Sequence, residues 1–106
     1  MSSIGVIVRA SQEIEELDAD WQPQPLGSRP HVHSVIYELT GVTTRTQRFD
    51  LRAQGIALEL EVGDDEPPLS ITASGVFDEA AVAILKKLCA GLSARFYDSE
   101  DGRFII

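Results

Sequence analysis

Cysteine is almost missing from this chain: one residue in 106, so no intramolecular disulfide is available. Positive charge is also scarce. Nine lysines and arginines stand against 17 acids, a formal charge of −8. That balance disfavours nucleic acid, whose binding depends on neutralising phosphates with a basic surface, and it disfavours anionic membrane surfaces as well. Long hydrophobic runs are lacking, and no segment approaches the roughly 20 apolar residues of a membrane-spanning helix. The opening MSSIGVIVRASQEIEE has too short an apolar run and no basic start for a signal peptide, so a cytoplasmic protein is expected. Catalytic signatures are absent too. There is no G-x-S-x-G, no glycine-rich phosphate loop, no H-E-x-x-H and no C-x-x-C. A domain this small with no convergent polar cluster is a poor enzyme candidate. The expectation is therefore no catalytic residue, no cofactor and no metal.

What is present reads as a fold. Hydrophobic residues make up 43% and charged residues 25%, which is ordinary for a globular protein and fits one domain over 1–106. The last third is the most consistent stretch. Ala81, Leu85, Leu88 and Leu92 recur at spacings of three and four, with Val82 and Cys89 widening the stripe, which predicts a helix. Asp78 is placed to accept from its first-turn amides, and Phe77 with Val82 to form a hydrophobic staple. Either Gly91 or Ser93 ends it. Cys89, on the apolar face, reads as a buried and inert thiol. Beyond the helix, two apolar runs, 94–98 and 103–106, flank Ser99-Glu100-Asp101-Gly102, a hairpin signal because Gly102 tolerates positive φ.

Earlier in the chain, Ile4 to Val8 reads as an interior strand with apolar residues on both faces. Ser11 is placed to cap a short helical turn carrying Ile14 and Leu17. Ser28, followed by Pro30 in the first turn, opens a helix over 29–40 with Val32, Val35, Ile36 and Leu39 as its stripe and Gly41 as its stop. Residues 41–55 read mostly as loop, with an irregular strand carrying Thr43, Arg45, Gln47 and Phe49 as the alternative. Strict alternation then predicts strands carrying Ile56, Leu58, Leu60 and Val62, and Leu69, Ile71 and Ala73, with a solvated turn over 63–68 between them. The sum is an α+β two-layer sandwich: an antiparallel sheet (a mixed one is the alternative) with two helices on one face. The order is ferredoxin-like, β-α-β-β-α-β with an added C-terminal hairpin strand.

Chemistry is sparser. The stretch 21–29 joins an indole, stiff prolines, a helix start and an arginine. Free amides there suit an anion or carboxylate on which Arg29 closes a fork, so Trp21, Ser28 and Arg29 are candidate ligand-binding residues. The competing reading buries Trp21 and lets the prolines route the chain. Glu15, Glu16, Asp18 and Asp20, within the densest acidic cluster, are candidates for contacting a basic protein partner, with Trp21 and Arg29 as interface residue types. His31 and His33 form an H-x-H pair, but on a helix residues two apart diverge, so both are expected in solvent rather than on a metal. Neither the 13–20 cluster nor Asp64-Asp65-Glu66 has calcium-loop spacing. Asp98, Glu100 and Asp101 read as turn-formers.

W-x-P-x-P-L-G-S-R, carried by Trp21, Pro23, Pro25, Leu26, Gly27, Ser28 and Arg29, is followed near the end by Leu88, Cys89, Leu92, Arg95, Tyr97, Asp98 and Gly102. Together they resemble a family of small bacterial proteins of unassigned function. The resemblance spans most of the chain, matches poorly over 41–55, and implies a single intracellular domain without implying an activity. Two functions are then expected in order: an acidic protein-interaction module of antitoxin or immunity type, and a small-ligand sensor with its site near 21–29. A homodimer is compatible with either.

Overall fold

The computed structural model of the chain describes residues 3–9, 24–44 and 46–104. Strand β1 spans Ser3–Val8, helix α1 Arg29–Thr40, strand β2 Arg48–Asp50, strand β3 Leu58–Val62, strand β4 Ser70–Gly75, helix α2 Glu79–Leu92, strand β5 Arg95–Asp98 and strand β6 Arg103–Phe104. The strands form one sheet in the order β2-β3-β4-β1-β5-β6, and every pairing is antiparallel. Two-residue β6 closes one edge and three-residue β2 the other, so both edges offer little unpaired backbone.

Register explains the two faces. Ile7 stands opposite Ile71 and Phe96, Ile71 opposite Val62, Leu60 opposite Ala73 and Phe49. Period-two alternation puts these side chains on one face, and all are buried. They share one core with Val32 and Ile36 of α1 and with Ala81, Leu85, Leu88, Cys89 and Leu92 of α2. Both helices therefore cover the same face. Val8, pointing away from Ile7, is also only 4% exposed, so the central strand is apolar on both sides as expected; Ile4, nearer the strand's start, is 48% exposed.

The helix boundaries follow from their caps. Ser28 accepts from the His31 amide at 3.3 Å and Gly41 closes α1 in the left-handed conformation. Asp78 accepts from the Ala81 amide at 2.9 Å, and Ser93, at φ 52°, ends α2. Gly91 thus lies inside the helix, where a Cβ would meet Val35 of α1 at 3.1 Å. At the hairpin tip Asp98 accepts from the amides of Glu100 (2.9 Å) and Asp101 (3.3 Å), and Gly102 adopts φ 68°. Asp98 is a turn-former.

Among the described residues, 41–55 is mostly loop, as expected, although Arg48–Asp50 pairs with β3 as a short strand and a 3-10 turn follows at Arg52–Gln54. Only Phe49 of the three strand residues is buried, too short an alternation to register in sequence. One reading needs correction: His33 is not in open solvent but partly buried. Its ring meets Phe49 edge-on at 5.0 Å, because β2 folds back toward α1.

Gly5 lies on the covered face, where the Phe96 ring and the Tyr97 carbonyl occupy the space of a Cβ. Phe96 is itself held edge-on by Phe77 at 5.4 Å. Gly5→Ala, a change that often stabilises strands, is expected here to destabilise by about 1–3 kcal/mol. A urea-unfolding midpoint at or above wild type would show that Phe96 yields freely.

Candidate functional site

The segment before α1 is tied down at successive points. Gln24 bridges to Arg9 just past the end of β1, and the Leu26 amide donates to the Pro68 carbonyl at 2.9 Å. Leu26 is fully buried. Arg9, which pattern reasoning passed over, donates from Nη2 to the carbonyls of Leu26 (3.1 Å) and Leu92 (2.7 Å). One guanidinium thereby joins the pre-α1 segment to the last turn of α2, where a cation suits the helix dipole. Only tertiary proximity could have revealed this, since Arg9 and Leu92 are far apart in the chain.

Arg29 is committed to a second job. Its Nη2 donates to the carbonyls of Gly63 and Asp65, each at 2.9 Å, and its Nε to Glu66 Oε2 at 3.0 Å. The acidic turn 64–66 is exposed, as expected, yet its backbone is gripped by this side chain. Glu66 is 69% exposed, so the ion pair itself contributes little; the two carbonyl contacts and the fork geometry carry the clamp. Ser28 is used as the α1 cap. Trp21, Glu15, Glu16, Asp18 and Asp20, like the turn proposed at Ser11, lie outside the described residues.

One cleft does gather polar groups. Arg29, Pro30, His33, Thr44, Thr46, Gln47 and Glu66 line a volume of about 600 Å³ between the start of α1 and the segment that precedes β2. A smaller adjoining concavity of about 290 Å³ continues past His33 to Ser34, Tyr37, Thr43 and Phe49. Burial, and then the Arg29 charge, hold His33 below its ordinary value, which favours neutral imidazole. Elsewhere, at about 410 Å³, Arg52, Ala57, Leu58, Glu59, Ser74, Gly75 and Val76 enclose a second hollow, where Arg52 is already paired with Asp50 at 2.7 Å. Among the described residues no cluster of three or more histidine, cysteine or acidic groups is placed to hold a metal. No helix there is long and apolar enough to cross a membrane.

Cys89 is the one thiol of the chain. Burial pushes it up to about 12, against an ordinary value of 9.0, and the Arg95 charge pulls only weakly the other way. A thiol so protonated is no nucleophile. Comparison with models of protein families, with curated proteins and with solved structures finds no match for this chain.

Two expectations arise here. Ser28→Ala removes the α1 cap and should lower stability by about 1 kcal/mol, read as a fall in thermal midpoint. For Cys89, a pKa raised on folding means that stability is intact below pH 9 and declines as pH climbs from about 9 to 12, where the unfolded thiol ionises and the folded one does not. Native protein at pH 8 should resist a thiol-labelling reagent that reacts at once in guanidinium. Cys89→Ala should flatten the alkaline loss of stability relative to wild type; an unchanged slope would refute the assignment.

Proposed function

We propose that this chain is a small acidic protein-interaction module, of antitoxin or immunity type, that engages a basic partner. One observation carries the reading. Residues 10–23 contain five acids and no lysine or arginine, −5 of the total −8, and the two residues that flank them, Arg9 and Gln24, are bridged to each other. The densest acidity of the chain therefore falls between two residues that are held together. A local excess of one sign steers an oppositely charged partner and sets specificity more than raw affinity. Glu15, Glu16, Asp18 and Asp20, with Trp21, are the contacts assigned to it. Arg29 is a weaker candidate, because three of its contacts already serve the 63–66 turn.

A non-catalytic role and a cytoplasmic location belong to this reading, as does a ferredoxin-like fold. In favour of that fold, β3-β4-β1-β5 follows the order of a split β-α-β-β-α-β sheet once β2 and β6 are set aside as additions at the two edges. Fold alone implies no activity.

The test is binding to a partner captured from the native host. A basic protein retained at low salt and released at high salt is expected, with affinity lowered at least tenfold by combining Glu15→Gln, Glu16→Gln, Asp18→Asn and Asp20→Asn. Full affinity in that variant, or binding indifferent to salt, would sink the proposal.

A further inference from the structure

Two residues that line the cleft beside the start of α1 each carry a nitrogen that the fold leaves unused. Arg29 Nη1 and His33 Nε2 are both shielded from solvent and find no hydrogen-bond partner among the described residues, although the other Arg29 contacts are made. Buried polar atoms are ordinarily satisfied, and leaving a charged donor unsatisfied costs more than leaving a neutral one. Both residues line the same cleft, and Arg29 is near enough for its charge to depress the His33 pKa. Arg29 is moreover held rigid by two carbonyls and a carboxylate, so its free nitrogen is oriented in advance.

We propose that this cleft binds a small monocarboxylate carrying a flat apolar group, its two oxygens shared between Arg29 Nη1 and His33 Nε2. The class follows from the charge already present. The two oxygens of a carboxylate match the two nitrogens one to one, and Glu66, on the Arg29 Nε, places a negative charge beside the cleft that opposes a dianion such as phosphate more than a monoanion. The hydroxyls of Thr44 and Thr46, 3.0 Å apart, and Gln47 add polar lining at this end. The apolar end follows from the adjoining concavity, where Pro30 and the half-exposed Tyr37 offer a surface for a ring. This does not rest on the acidic-partner reading. It gives the small-ligand function expected from the sequence a site one turn further along α1, with His33 in place of Ser28.

Benzoate, acetate and inorganic phosphate are the probes, titrated into the full chain and followed by the ring resonances of both histidines. Benzoate should shift the His33 ring saturably, leave the exposed His31 ring unmoved, and raise the His33 pKa by supplying the opposite charge. Acetate should bind more weakly, for want of a ring, and phosphate more weakly still. His33→Phe retains a ring against Phe49 but lacks Nε2 and should bind benzoate at least tenfold less tightly, with thermal unfolding confirming that it folds. Equal, non-saturating shifts of both histidines, undiminished benzoate binding by His33→Phe, or phosphate binding tighter than benzoate would each overturn the assignment. Should His33→Phe fail to fold, the benzoate-induced rise in His33 pKa in the wild-type chain decides alone.

Discussion

The fold depends on β1 being gripped from both sides. Its six residues pair with β4 along their whole length and the last four with β5, so a strand near the start of the chain is the seam between elements that lie 62 to 93 residues further on. Ile7 brings one face of that seam into the common core, and Gly5 lets Phe96 lie flat against the strand. Neither hairpin half of the sheet can bury its apolar face without this strand. Contacts of such long sequence separation must overcome loop-closure entropy before they stabilise anything, which makes the fold cooperative rather than modular.

Two arginines perform the comparable task outside the sheet. Arg9 draws the pre-α1 segment and the end of α2 together, and Arg29 ties the start of α1 to the turn between β3 and β4. In both cases the guanidinium donates to backbone carbonyls, which are fixed in place and need no further ordering. The exposed pairs of Arg48 with Glu59 and Glu61 are of a different kind. They decorate an edge and are screened by solvent and salt. Placement, rather than the number of ion pairs, separates the arginines that organise the molecule from those that solvate it.

Clamping also shapes what the surface can do. Arg29 is immobilised by the 63–66 turn, and His33, four residues on along α1, lies on the same side of the helix. The acidic run at 13–20 is the opposite case, a concentration of charge set by sequence alone. A cleft of the first kind would act through short-range hydrogen bonds, an acidic segment through long-range attraction.

Elements with a long, repeated local signal were legible from residues alone. The α2 stripe, the Ser28 and Asp78 caps, the alternation of β3 and β4 and the Asp98–Gly102 turn each need only neighbours within a few positions, because caps and periodicity are local properties. The last turn of α2 was ambiguous between Gly91 and Ser93, and packing settled it, since Gly91 is used for close approach to Val35. Strand β2 is undecided between irregular strand and loop in the sequence, because three residues with one buried side chain carry too little pattern to stand out, and without it there is no Phe49 beside His33. The candidate residue Arg29 was visible as a residue type, but which carbonyls it grips, and which nitrogen it leaves free, depend on a turn more than thirty positions away. By itself, then, the sequence determined the class of fold, the helices, most of the strands and the charge, all of which are sums or short-range periods. Strand order and the two arginine clamps were decided only by tertiary structure, because each is a contact between segments that the chain alone does not bring together.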